Sequence, residues 1–279
     1  DIRKRQTMKE QQNISWLAAS LAAKLGEAPD VAVVLGSGWA ERADGLLDGI
    51  ERFDLNDFEN WPLPRVQGHA PELRLGKLQD TRVLLCGGRV HAYEGYTAAE
   101  IVRPVRAMIE WGVKNFILLN AAGSTSESYP PGTLMALADH LNMGLPNPLT
   151  GPNTPTGQIT FVDLVDLYDP TWRAALTATC TDVKTGIYAG MLGPSYETPA
   201  EVAMVAQLGG HAVGMSTIPE AIAAKAAGAR VLAISMMTNL AAGVGGSRPN
   251  HQEVLDTAAE HGKRASEVLK CAVLAAAAE

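Results

Sequence analysis

Short apolar runs rich in β-branched residues alternate along this chain with stretches whose apolar positions fall at helical spacing. The runs at 31–35, 83–86, 116–119, 187–191, 212–214 and 231–235 read as buried strands. Ile14, Leu17, Leu21 and Leu25 mark one apolar helical face, and Ile101, Val105, Met108 and Ile109 mark another ahead of the strand at 116. A third helix is expected after Pro199, because proline suits a first helical position where its missing N–H would have no partner anyway. This rhythm predicts an α/β fold. The stretch 124–169 is rich in Pro, Gly, Asn and Thr and reads as long surface loops. With no internal repeat and no break in composition, 1–279 is expected to form one domain, with 1–12 as a flexible N-terminal segment.

Composition narrows the classes. Of 279 residues, 47% are hydrophobic, enough for a large core. The longest uninterrupted apolar run, 271–278, is far short of the roughly 18 residues that suggest a membrane span. The first ten residues are charged and lack the apolar segment of a secretory signal, so a cytoplasmic location is expected. Three scattered cysteines, Cys86, Cys180 and Cys271, do not make a disulfide framework and read as buried thiols. No CxxC or paired-His spacing suggests a metal. A net charge of −7 without a Lys/Arg block argues against nucleic acid as a partner, since binding there needs clustered cations.

Four strand ends marked by glycine carry the candidate chemistry. In VVLGSGWAE the first strand runs into Gly36, Ser37 and Gly38, whose amides and hydroxyl could cradle an anion or could simply make a tight turn. Neither GxGxxG nor the Walker pattern is present, which disfavours NAD and ATP. In GGRVHAYEGY, Arg89, His91 and Tyr93 share one side if the chain stays extended. Arg89 can grip an oxyanion with two parallel bonds, His91 can add a donor, and Tyr93 offers a hydroxyl for a sugar. The small residues at 120–124 (NAAGS) let backbone approach a ligand, or serve packing alone. In GPSYETPAE, Tyr196 and Glu197 precede the expected helix, where an aromatic base could stack or where Glu197 could be a solvated charge.

Taken together, LGSGW, GHAPEL, GRVHAYEGY, LLNAAGS, GPSYETPAE, VGMSTIPEAIAAKAAG, SMMTNLAAG and NHQEVL follow in the order of the trimeric class of purine nucleoside phosphorylases, and the chain resembles that family almost end to end. The resemblance implies a single α/β domain with a mixed, barrel-like sheet flanked by helices, a homotrimer with sites near subunit boundaries, and no metal or organic cofactor. It assigns phosphate to Ser37, His69, Arg89, His91, the Ala121 backbone and Ser216. The sugar falls to Tyr93, Met215 and His251, with Phe161 lent by a neighbouring subunit, and the base to Glu197, Asn239 and Tyr196. Two departures stand out: Pro71 where the family usually has Gly after GHA, and a shortened 141–161 region.

The implied reaction is phosphorolysis of inosine or guanosine in purine salvage. His91 and Asn239 would act with Glu197 as the catalytic set, phosphate attacking C1' while Asn239 supports charge entering the purine. An ionised Glu197 accepts the N1–H of a 6-oxopurine and repels the bare N1 of adenine. Three alternatives stay open at this level: a methylthioadenosine phosphorylase, against which Asn239 and His251 argue; a water-using nucleosidase; and a purine-binding protein without turnover.

Overall fold

The chain is described here by a computed structural model covering residues 2–40, 43, 45–65, 71–151 and 158–277. Among these residues nine strands join one sheet: β1 (Val31–Val34), β2 (Asp48–Asp54), β3 (Glu72–Leu78), β4 (Thr81–Cys86), β5 (Asn115–Ser124), β6 (Leu134–Asn142), β7 (Lys184–Gly190), β8 (Ala212–Gly214) and β9 (Arg230–Leu240). Their order is β2-β3-β4-β1-β5-β8-β7-β6-β9, and β9 also pairs with β5. That last pairing closes β5, β8, β7, β6 and β9 into a ring, with the other four strands running out from it as an open wing. All six strands expected from the sequence form.

Period-two alternation sends β1 side chains into two layers. Ala32 and Val34 join the core that includes Leu17, Leu21, Val105 and Phe116, whereas Val31 and Val33 join the one built around Trp39, Trp172, Ile117 and Leu269. The first layer is covered by α1 (Ile2–Leu25), α2 (Ala98–Trp111) and α5 (Ile218–Ala226), and the second by α3 (Pro170–Thr179) and α7 (Gly262–Ala277). Helix α4 (Pro199–Gln207) starts at the expected proline, and α6 (His251–Glu260) leads into α7. The expected apolar faces are buried: Ile14, Leu17, Leu21 and Leu25 on α1, and Ile101, Val105 and Met108 on α2.

Three expectations need correction. The stretch 124–169 is not all loop, because β6 lies inside it, paired to both β7 and β9, and completes the ring. Its apolar start, residues 134–137, is outweighed locally by surrounding Gly, Pro and Asn. The strands β2 and β3 also escape sequence reading; β2 is a charged, largely exposed edge whose pattern carries little hydrophobic signal. Finally, α1 begins inside the segment expected to be flexible, and Glu10 within it takes two hydrogen bonds, at 2.7 Å each, from Arg103 of α2. Of the cysteines, Cys86 and Cys180 are buried but Cys271 is only partly so.

Candidate active site

Contacts tie the glycine-marked strand ends to one another. A side chain at Gly36 would place its Cβ 2.6 Å from the Leu119 carbonyl oxygen and 2.7 Å from the Asn120 Cα, so only glycine lets the turn after β1 lie against β5. The turn brings Ser37 beside that strand, and Trp39 locks it by donating its indole N–H to the Asn120 carbonyl at 3.1 Å. Ala121 follows Asn120 in β5, in register with Met236 of β9.

Arg89 lies beyond β4 and is almost wholly buried. Its Nε donates to Glu220 Oε1 at 3.0 Å and its Nη1 to the Leu119 carbonyl at 2.5 Å, while Nη2 finds no acceptor among the described residues. His91 is held differently. Glu94 Oε1 accepts from the His91 amide at 2.7 Å and meets its Nδ1 at 2.8 Å. Burial alone would raise the Glu94 carboxyl, yet hydrogen bonds from His91 and from the Arg65 amide hold it below the usual range. Tyr93 is not in extended chain as expected, because residues 92–94 form a single 3-10 turn. Its ring still stacks on His91, with centroids 4.8 Å apart and planes 12° apart. The tight turn, rather than strand alternation, puts them side by side.

Ser216 and Thr217 join β8 to α5. Thr217 is fully buried at φ 73°, a region a β-branched residue rarely occupies, and it is pinned there from several sides. Its Oγ1 accepts from Asn120 Nδ2 at 2.9 Å and meets Ser216 Oγ at 3.0 Å, while its amide donates to Glu220 Oε2 at 3.1 Å. The Ser216 amide donates to the Tyr188 hydroxyl at 3.2 Å. His91, Met215, Ser216 and Glu220 line one small cleft. Met215 also meets Tyr93 at Gly193, where an added Cβ would fall 2.3 Å from the methionine sulfur and 3.2 Å from the tyrosine ring.

Glu197 and Asn239 lie outside the lining of that cleft. Glu197 is 8% exposed, and its Oε1 has no donor among the described residues. Burial raises its carboxyl above the ordinary 4.5, its own backbone amide opposes that, and the nearby charge of Glu201 adds to the rise. Asn239 sits where the β5–β9 register slips, Ala122 facing Met237 and Gly123 facing Asn239, so that Thr238 bulges out. Thr238 donates to Asn239 Oδ1 at 3.0 Å, and Asn239 Nδ2 donates to the Leu240 carbonyl at 2.9 Å. A Cβ at Gly123 would lie 3.3 Å from that Nδ2, so the small residue in NAAGS clears room for the amide.

Electrostatics and packing relate Glu197 and Asn239 to the residues above. Burial pushes the Tyr188 hydroxyl up to about 12; its bonds with Ser216 and the charge of Arg89 lower it, and the charge of Glu197 raises it. Pro199, two residues past Glu197, packs on Gly243, four residues past Asn239. Burial likewise pushes the Tyr93 hydroxyl up to about 12, with Glu94, Tyr196 and Arg89 all within electrostatic reach, so it stays a neutral donor and acceptor at physiological pH. Tyr196 is half-exposed and feels Glu253 near the start of α6. His251 opens that helix and is exposed, with no side-chain hydrogen bond joining it to Tyr93 or Met215. Phe161 is 95% exposed, alongside exposed Ile159 and Val165. His69 and the rest of GHA lie outside the described residues; the Pro71 carbonyl accepts from the Leu55 amide at 2.9 Å.

Sequence reading missed Glu94, Thr217, Tyr188 and Glu220. A signal existed for two of them: Thr217-Ile-Pro-Glu220 has the spacing of a helix capping box, as do Thr97 with Glu100 and Thr198 with Glu201. Among the described residues no His, Cys, Asp and Glu cluster could hold a metal, and no helix is long and apolar enough to cross a membrane.

Comparison with known proteins fits this geometry. Residues 30–274 match the phosphorylase superfamily. A purine nucleoside phosphorylase of Geobacillus stearothermophilus is 40% identical over 248 residues, covering 88% of this chain and 90% of that protein. The crystal structure of the Schistosoma mansoni enzyme of the same name in complex with inosine aligns with a TM-score of 0.86 at 33% identity, covering 94% of this chain and 95% of that one. The same schistosome enzyme in complex with adenosine aligns at 0.85, with the same identity and 94% and 96% coverage.

Proposed function

We infer that this chain, which belongs to the phosphorylase superfamily, splits the N-glycosidic bond of 6-oxopurine (deoxy)ribonucleosides such as inosine and guanosine with inorganic phosphate. The products are free base and (deoxy)ribose 1-phosphate. One observation carries the reading: a buried guanidinium and a buried carboxylate, Arg89 and Glu197, lie within electrostatic reach of the same buried Tyr188 hydroxyl, and among the described residues Arg89 Nη2 has no acceptor and Glu197 Oε1 no donor. Such a pair is suited to an anion on one side and an N–H group on the other.

Phosphate lies against the sugar on Arg89, Ser37, Ser216, His91 and the Ala121 backbone, with His69 as a further donor. Tyr93, Met215 and His251 meet the sugar, and Tyr196 walls the base. A phosphate oxygen forms a bond to C1' as the bond from C1' to the purine nitrogen breaks, and the bonding pair passes into the purine. Because the nucleophile arrives already ionised, no general base is required; holding it in line supplies the rate through proximity. Its charge also faces the positive charge developing on the sugar. Asn239 donates to the purine as electrons enter it, and Glu197 takes the N1–H that an adenine lacks. No cofactor takes part in this scheme. The exposed Phe161 completes a neighbour's sugar site in a homotrimer, and the enzyme serves purine salvage in the cytoplasm.

The test is hypoxanthine release from inosine, followed with and without phosphate, with adenosine run in parallel. Release that requires phosphate, and an adenosine kcat/KM lower by about 10⁴-fold, are expected. Equal release in water alone would replace the reading with hydrolysis. Asn239→Asp should relax the preference toward 6-aminopurines, since a carboxylate accepts from the exocyclic amine, and an unchanged ratio of adenosine to inosine turnover would refute the base assignment.

A further inference from the structure

We propose that Glu220 is the positioning residue of the phosphate site, fixing Arg89 and the Ser216-Thr217 turn with its two carboxylate oxygens at once. The proposal rests on the phosphorolysis reading above. Glu220 sits in the first turn of α5, and its side chain is 5% exposed against 2% for Arg89. Oε1 accepts from Arg89 Nε at 3.0 Å, and Oε2 accepts from the Thr217 amide at 3.1 Å. Capping alone would need only the second bond.

The first bond has a directional consequence. A guanidinium is a rigid planar fork, so fixing Nε on Glu220 and Nη1 on the Leu119 carbonyl leaves no freedom in the plane and determines where Nη2 points. That is the one nitrogen of Arg89 lacking a partner among the described residues. The second bond acts on the anion site from the other side. Thr217 holds a φ of 73°, and its amide bond to Glu220 helps keep the turn that presents Ser216. Ser216, Thr217 and Glu220 line one small cleft together. One carboxylate thus sets the spacing between two phosphate-binding residues that come from opposite halves of the chain.

The decisive experiment is steady-state phosphorolysis by Glu220→Gln with inosine and phosphate varied separately. Gln retains the shape but cannot serve both a cation and an amide as an ionised acceptor. The KM for phosphate should rise by about tenfold or more, the loss expected for one charge-assisted hydrogen bond, while the KM for inosine moves by less than about twofold. A merely structural role would move both constants together, or neither, and that result overturns the proposal. Glu220→Asp keeps the charge and should restore part of the phosphate KM; it also carries the test if the Gln variant fails to fold, an unchanged phosphate KM in it being a refutation. In Arg89→Lys, which lacks the fork, adding Glu220→Gln should raise the phosphate KM no further, and multiplying effects would count against the coupling. If the wild-type protein releases hypoxanthine equally well without phosphate, the phosphorolysis reading falls and this proposal with it. If wild type needs phosphate but the KM split is absent, the assignment of Glu220 alone falls.

Discussion

Arg89 and Glu197 hold buried charge in opposite ways. Arg89 is neutralised by Glu220 and anchored on a backbone carbonyl, and His91 near it is anchored by Glu94. Among the described residues Glu197 has no counter-ion, one of its oxygens is unbonded, and burial lifts its carboxyl above the ordinary range. A permanently charged guanidinium has to be paired inside a protein, since it cannot lose its proton to escape the desolvation cost. A carboxylate can escape that cost by taking up a proton, so Glu197 can be left under-bonded, with a ligand N–H as its best partner. On the proposed reading, Arg89 serves affinity and position for phosphate, whereas Glu197 makes the wrong base costly.

The largest effect expected from this contrast is at Arg89. Arg89→Met should abolish phosphate-dependent turnover by about a thousandfold, as for loss of a preorganised charged donor, and should cost about 3–5 kcal/mol of stability by leaving Glu220 buried and unpaired. Making Glu220→Leu as well should return part of the stability, read as a melting temperature, and none of the activity. Equal melting temperatures for the single and double variants would mean that the pair is not a coupled unit.

Glu197→Gln comes next. Glu197 accepts N1–H most strongly when ionised, so kcat/KM for inosine should fall as pH drops through its raised pKa, and the variant should lose that acid limb. At neutral pH its turnover of inosine should be lower by about tenfold or more. Stability should move the other way. A carboxyl whose folded pKa is raised makes the protein less stable as pH rises through that pKa, so removing it should leave the variant at least as stable as wild type at neutral pH. A less stable variant with an unchanged acid limb would show Glu197 to be a structural charge.

The smallest effect expected is at Phe161, whose side chain is almost fully exposed. Phe161→Ala should raise the nucleoside KM a few-fold, leave the phosphate KM alone and not alter the melting temperature, in keeping with a contact made at the edge of a neighbour's site. A matching rise in the phosphate KM would place Phe161 at the phosphate rather than the sugar.

The chain's periodicity determined six of the nine described strands, the buried faces of α1 and α2 and the start of α4, because each rests on contacts between residues a few positions apart. Its short motifs likewise singled out Arg89, His91 and Glu197, since glycine and small residues at strand ends leave a local trace, whereas Ser216 and Asn239 were reached only through the family resemblance. Tertiary structure alone decided that β6 closes the ring, because its apolar start is short and embedded in turn-forming residues, and its partners lie far along the chain. It alone made Tyr93 a neighbour of His91 through a 3-10 turn, and made Glu220 the partner of a residue 131 positions away. A buried ion pair is specified by where two strand ends meet in space, and no local pattern of residues encodes that meeting.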